Sequence, residues 1–286
     1  METYIRIAVQ KKGRLSEDSL RLIRECGIRF NNGKGALKAK SEDFPMEFLF
    51  LRDDDIPGYV ADGVADLGII GENVAVEKGK NIEVIKELGF SKCRLSLAVP
   101  REVEYNGIKD LDGGHIATSY PVLLGKYLKE QGVSASIHEI SGSVEIAPGI
   151  GLADAVCDIV STGSTLLSNG LKEVESIFKS QAVMVATPGL SAEKKALLDK
   201  FLFRIDAVQR AKRKKYIMMN APDNALDEIE RVLPGAKSPT ITPLKNKGWS
   251  SVQAVINEDD FWEVIEALKN AGAEDILVTP IEKMVF

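Results

Sequence analysis

Short apolar runs alternate with amphipathic segments along most of this chain, and that alternation limits the folds open to it more than any other feature. Ile5 to Val9 reads as a buried strand, and the basic turn QKKGR leads into a helix beginning at Ser16. Ser16 suits an N-cap, Glu17 and Asp18 suit the positive end of the helix dipole, and Leu15 with Leu20 has hydrophobic-staple spacing. Gly27 supplies the stop. Met46 to Leu51 is the next strand, DDDIPGYVADG a short helix, and LGIIG from Leu67 a buried strand. Ile116 to Tyr120, a helix from Pro121 to Gln131, and Ser134 to Ile140 repeat the pattern. Strands separated by helices pair in parallel, with helices on the sheet faces, so the expected class is α/β.

The last quarter has a different rhythm. After a long amphipathic helix, about Ser191 to Lys212, the order is strand (Tyr216 to Asn220), helix (Leu226 to Leu233) and strand (Thr240 to Leu244). A strand (Ser251 to Ile256), a helix (Asp260 to Ala271) and a strand (Ile276 to Pro280) follow. That βαββαβ order is the ferredoxin-like one, and its length suffices for a small domain with a boundary near Val208 to Arg213. The basic run RAKRKK at the boundary is read as a solvated helix end that favours the negative pole of the dipole.

Composition removes several function classes. Of 286 residues, 44% are hydrophobic and 28% charged, with a formal net charge of −5 and dispersed cations, so neither nucleic acid nor a membrane surface is expected as a partner. The N-terminus lacks a basic segment followed by a long apolar one, and no apolar window approaches the roughly 20 residues of a membrane helix; a cytoplasmic protein is expected. Cys26, Cys93 and Cys157 lie far apart in apolar surroundings and read as reduced thiols. The two histidines, His115 and His138, have no metal-ligand spacing, which argues against a zinc site or a Ser-His-Asp triad.

The chemistry concentrates in DAVCDIVSTGSTL, Asp154 to Leu166. An apolar strand runs into Thr162-Gly163-Ser164-Thr165 at the start of a helix, where hydroxyls and free N–H groups can cradle one phosphate. Asp154 and Asp158 share a strand face by the two-residue period and could accept ribose hydroxyls, giving a ribose 5-phosphate site. Taken locally, the same residues also suit a plain turn after a strand. Neither a Walker A motif nor G-x-G-x-x-G after a strand is present. Lys11 and Arg14 follow one strand and Arg52 another, at carboxyl ends where open α/β sheets bind ligands; as bare sequence they read equally as solvated loop cations. Gly71, Glu72 and Asn73 follow LGIIG in the same way. Asp53-Asp54-Asp55 suits either a metal or capping ahead of Ile56-Pro57. Glu145 could cap a helix or border the ribose, and Tyr120 reads as a core aromatic before an N1 proline.

The stretch Glu145 to Leu166, EIAPGIGLADAVCDIVSTGSTL, resembles the signature of the ATP phosphoribosyltransferases, which open histidine biosynthesis. QKKGRLSEDS, LRDDDIPGYVADGVADLGIIGEN, CRLSLAVP, ATSYP, KYIMMNAP, LPGAKSPTITPL and ILVTPIEKM resemble other segments of that family, from end to end of the chain. The C-terminal segment resembles the domain that marks its long form.

The resemblance implies transfer of the 5-phosphoribosyl group of phosphoribosyl pyrophosphate to N1 of ATP, with release of pyrophosphate and a need for Mg²⁺. Asp154 and Asp158 would hold the ribose hydroxyls, and Thr162, Gly163, Ser164 and Thr165 the 5′-phosphate. Lys11, Arg14, Arg52, Gly71 and Glu72 would meet ATP and pyrophosphate, with Mg²⁺ carried mainly by substrate phosphates and no dedicated metal site. It further implies a two-lobed catalytic part like that of periplasmic binding proteins: residues 1–93 and 181–208 in one lobe, 94–180 in the other. Residues 209–286 would form a ferredoxin-like domain sensing histidine as a feedback inhibitor, with Asn220, Thr240, Val255 and Asp275 as contacts, in a homo-hexamer. Two other functions share the cradle: a non-catalytic sensor of a phosphorylated sugar, and a phosphoribosyltransferase acting on another base.

Overall fold

The computed structural model describes residues 3–33, 35–233, 235 and 238–285; part of LPGAKSPTITPL, residues 234, 236 and 237, lies outside them. Two compact units result, one of residues 1–21 and 28–197, the other of residues 22–27 and 198–286.

The first unit opens with strand β1 (Ile5–Gln10), helix α1 (Arg14–Glu25), β2 (Lys38–Lys40), β3 (Met46–Leu51), α2 (Ile56–Ala61), β4 (Leu67–Gly71), α3 (Glu72–Lys78) and β5 (Glu83–Glu87). A second group follows: β6 (Cys93–Pro100), β7 (His115–Thr118), α4 (Pro121–Gln131), β8 (Ser136–Glu139), β9 (Ala155–Val160), α5 (Ser164–Ser168) and β10 (Leu171–Ser180). The chain then returns through β11 (Ala182–Ala186) to the first group. The first lobe is thus a six-stranded sheet ordered β2-β3-β1-β4-β11-β5, and the second a five-stranded sheet ordered β10-β6-β9-β7-β8.

The sheets are mixed, a correction to the purely parallel expectation. β1 runs parallel to β3 and β4, and β7 parallel to β8 and β9, as the βαβ segments require. β11 pairs antiparallel with β4 and β5, and β6 antiparallel with β9 and β10. These antiparallel partners surround the two crossings between lobes, which bring strands back without an intervening helix.

Two-residue alternation gives the second sheet a core on each face. Leu97, Ile116 and Cys157 pack under α4 with Leu124 and Leu128, while Ala98, Ala117 and Val156 pack on Val144, Ala147 and Leu166. In the first lobe Ala8, Ile70, Val183 and Val185 pack on Ile56 and Val60 of α2. Ser16 is not a cap: α1 starts at Arg14 behind Gly13, whose φ of +97° turns the chain into the helix, and Glu17 N–H donates to the Gly13 carbonyl at 3.1 Å. Ser16 lies within the helix and is buried.

α6 (Ala192–Ala211) leads into the second unit, which contains β12 (Lys214–Pro222), α7 (Leu226–Val232), β13 (Thr240–Pro243), β14 (Trp249–Asn257), α8 (Phe261–Asn270) and β15 (Glu274–Pro280). The antiparallel sheet is ordered β13-β14-β12-β15. Alternate residues Ile217, Met219, Val252 and Ala254 face Ile229 and Leu268 of the helices. This is the ferredoxin-like βαββαβ arrangement. RAKRKK ends α6 and enters β12, where Lys215 pairs with Glu258 at 3.0 Å, so only its first part is a helix end.

Candidate active site

Carboxyl ends of the parallel strands in both sheets carry the polar residues. In the second lobe β9 ends at Val160, and Ser161 to Gly163 turn into α5. Gly163, at φ +81°, takes the left-handed conformation this turn needs. The Thr162 and Ser164 hydroxyls lie 3.1 Å apart, and the first-turn N–H groups of a helix have no partners within it. Thr162, Ser164 and Thr165 are exposed, so several donors share one open spot.

Asp158 stands two residues before the end of β9 on the Val156–Val160 face. It is half-buried, and Oδ1 accepts the Ile159 N–H at 2.8 Å. Burial raises its pKa and the nearby Glu145 raises it further, against the opposing effect of the Ile159 N–H. A carboxylate in this condition gains from incoming hydroxyl donors. Glu145 sits in a short 3-10 turn, Val144–Ile146, whose cap is not a side chain, and it lies on the Asp158 side of the sheet.

Asp154 is not brought to the cradle. It precedes β9 at the other end of the strand, roughly 13 Å from Asp158 at the usual strand rise. Its Oδ2 accepts the His115 N–H at 2.8 Å, and it borders a separate cavity with His115, Tyr105 and Leu152. The two-residue period sets the face but not the end of the strand.

The first lobe contributes the turns after β1, β3 and β4. Arg14 reaches the other lobe directly, with Nη1 donating to Ser161 Oγ at 3.2 Å. Lys11 is exposed after β1, its N–H donating to the Leu51 carbonyl, which places it beside the β3 end and Arg52. Gly71 and Glu72 form the β4–α3 turn, where a Cβ on Gly71 would run into Asn73 Oδ1. Asn73 is buried and structural, its N–H donating to Ser180 Oγ at 3.1 Å. The aspartate run forms a 3-10 turn without side-chain capping bonds, and Asp54 pairs with Lys78 at 3.3 Å. Among the described residues no group of three or more His, Cys, Asp or Glu side chains is arranged to hold a metal ion.

Two residues gain importance only in three dimensions. Tyr120 is half-buried, and its phenol is held in the protonated form by burial and then by Asp158 of its own lobe and Asp53 and Asp54 of the other. Asp53 is pushed up to about 6 by burial and the Asp54 carboxylate, with Lys78 opposing. A tyrosine before a helix proline carries no sign in sequence that it will face another lobe's carboxylates.

The C-terminal candidates lie on the open face of the four-stranded sheet. Asn220 Nδ2 donates to Asp275 Oδ2 at 3.0 Å, and Asp275 holds φ at +51°. Thr240 pairs with Gln253, two residues from the row of Asn220 and Ser251. Val255 is four residues beyond Ser251, roughly 13 Å along the strand. Asn220 and Asp275 therefore form a pair, with Thr240 and Val255 apart on the same face.

Comparison with known proteins gives the chain's family. Residues 52–207 match the family model described as ATP phosphoribosyltransferase, and residues 211–283 that of the HisG C-terminal domain. An ATP phosphoribosyltransferase of Cytophaga hutchinsonii is 62% identical over 285 residues, covering 100% of both chains. One from Parabacteroides distasonis is 59% identical over 98% of this chain and 99% of its own. Among solved structures, an ATP phosphoribosyl transferase (HisG:HisZ) complex from Thermotoga maritima is 30% identical, with a TM-score of 0.59 over 70% of this chain and 98% of that one. The substrate-binding protein of an amino acid ABC transporter, 12% identical with a TM-score of 0.50 over 73% of this chain and 94% of its own, shares the two-lobed fold alone. With the β9 cradle, the facing arginine and both family models in one chain, the protein belongs to the ATP phosphoribosyltransferase family as a long-form member.

Proposed function

We propose that the enzyme transfers the 5-phosphoribosyl group of phosphoribosyl pyrophosphate to N1 of ATP, releasing pyrophosphate, as the first step of histidine biosynthesis. The contact of Arg14 with Ser161 carries this reading, because it sets a cation of one lobe on the phosphate loop of the other. In this reading Thr162, Gly163, Ser164 and Thr165 hold the 5′-phosphate and Asp158 grips a ribose hydroxyl. Arg14, Arg52 and Lys11 meet the pyrophosphate and ATP phosphates, with Gly71 and Glu72 lining the same cleft. Attack at the anomeric carbon develops oxocarbenium character, which nearby carboxylates stabilise, while the arginines neutralise the departing diphosphate. Proton transfer at the attacking nitrogen is small, so no histidine base is needed.

Asp158, with Glu145 near it, is available beside the loop, which fits Mg²⁺ carried mainly by substrate phosphates, since this ion usually takes one or two protein carboxylates. Bound there, it would neutralise diphosphate charge. The catalytic lobes would span residues 1–93 with 181–208, and 94–180. Residues 209–286 would sense histidine as feedback inhibitor, through Asn220 and Asp275 first and Thr240 and Val255 on the same sheet face. Homo-hexamer assembly and a cytoplasmic location complete the reading; no helix among the described residues is long and apolar enough to cross a membrane.

Pyrophosphate release by the purified protein given ATP, phosphoribosyl pyrophosphate and Mg²⁺, with and without histidine, tests this. Release that needs both substrates and falls with histidine is expected. Binding of phosphoribosyl pyrophosphate without release would turn the reading into that of a sensor, and release with free bases replacing ATP would change the acceptor.

A further inference from the structure

Helix α4 begins without a cap of its own. Its N-cap residue is Tyr120, which makes no side-chain capping bond, and Pro121 at the first position has no N–H to give. The next two donors are met from the opposite lobe. Glu77, on α3, takes the Val122 N–H on Oε1 at 2.8 Å and the Leu123 N–H on Oε2 at 2.9 Å. A full negative charge thus sits on the positive end of an eleven-residue helix, in a charge-assisted pair of bonds.

The other end of α3 is fixed to the crossing between lobes. Glu72 N–H donates to the Gln181 carbonyl at 2.9 Å, and Asn73 N–H to Ser180 Oγ, which returns its hydroxyl proton to Asn73 Oδ1 at 2.8 Å. Asn73 and Ser180 are both 5% exposed, so this joint is buried. Glu77 lies roughly 6 Å further along the helix axis, away from the joint. Rotation at the crossings that opens the cleft would draw Glu77 off α4 and leave two N–H groups to water. Between these elements lies a cavity of 260 Å³ lined by Asp54, Glu77, Lys78, Ser119, Tyr120 and Glu139. Tyr120 connects it to Asp158, since the phenol pKa is raised by burial first and then by the Asp158 charge.

We propose that Glu77 is a positioning residue, a carboxylate cap given by one lobe to the first turn of α4 in the other, which holds the cleft closed over the phosphoribosyl donor. The proposal rests on the transfer reaction above. Closure keeps water from the anomeric carbon while ATP N1 approaches it. Losing the cap leaves the chemical groups in place and shifts the lobes toward the open state, which weakens donor binding and admits water as a competing acceptor.

The test compares the full-length protein with Glu77→Ala and Glu77→Gln by steady-state kinetics, by pyrophosphate released per phosphoribosyl-ATP formed, and by amide hydrogen exchange at Val122 and Leu123. For Glu77→Ala the KM for phosphoribosyl pyrophosphate should rise about tenfold, the scale of a lost charge-assisted bond, with a smaller change in kcat. Pyrophosphate should exceed product, and both amides should exchange faster. Glu77→Gln should fall between, since its amide oxygen can accept one N–H while its NH₂ cannot accept the other; it carries the comparison if the alanine variant does not fold. A folded variant with faster exchange but unchanged KM and one pyrophosphate per product would overturn the proposal. So would wild-type exchange at both amides. Wild-type protein that forms no product would refute the transfer reading instead, and exchange with phosphoribosyl pyrophosphate bound would then judge Glu77 separately: equal protection in wild type and Glu77→Ala rejects it.

Discussion

At the scale of single residues, burial separates carboxylates that look alike in sequence. Asp158 is half-buried two residues before the end of β9, whereas Asp154 is exposed ahead of the strand's start, where it accepts the His115 N–H. Asp158→Asn keeps the shape and removes the charge, so kcat/KM for phosphoribosyl pyrophosphate should fall about ten- to a hundredfold, the range for a charged hydrogen bond. An unchanged value in steady-state kinetics would remove the ribose role. Asp53 gives a pH signature. Its pKa rises from an ordinary 3.8 to about 6 on folding, so the folded state holds the proton more tightly. Its stabilising effect is complete below the unfolded value and is lost as pH rises through about 6. Asp53→Asn should therefore stabilise the protein by about 1–2 kcal/mol at pH 7, a figure reduced for partial exposure, and by nothing near pH 3. Thermal unfolding at both values checks the sign.

Elements show how closely the lobes are built around their strands. Gly68 in β4 lies against α2, where an added Cβ would meet Ile56 Cγ2 at 2.8 Å, Val60 Cγ2 at 3.0 Å and Val185 Cγ2 at 3.1 Å. Three branched side chains on two elements cannot all move aside. Gly68→Ala should cost about 1–3 kcal/mol, seen as a lower Tm with donor affinity little changed in the protein that remains folded. The α1 start teaches a related point: serine followed by acids has the composition of a cap, yet packing buries Ser16 and the chain turns at Gly13 instead.

For the whole molecule, the C-terminal sheet is built on a core of its own. It packs Ile217, Met219, Val252 and Leu268 there, and leaves Tyr216, Met218 and Leu277 exposed on the face that bears Asn220. Asn220→Ala removes its bond to Asp275, and should raise the histidine concentration for half inhibition about tenfold while turnover without histidine stays at the wild-type level. An inhibition curve that does not move would place the sensor elsewhere.

Sequence alone determined the α/β class, the ferredoxin-like tail and the turn from β9 into α5, because strand and helix periods and the Thr-Gly-Ser-Thr turn are local properties set by side-chain volume and backbone freedom. The motifs that resemble the family lie in the same local segments. Only the tertiary structure decided which strand ends meet. Antiparallel β6, β10 and β11 arise from two crossings that leave no periodic mark, and the approach of Arg14 to Ser161, of Tyr120 to Asp53, and of Glu77 to α4 spans tens of residues. Such long-range encounters are set by how whole sheets pack, which no short stretch of residues encodes.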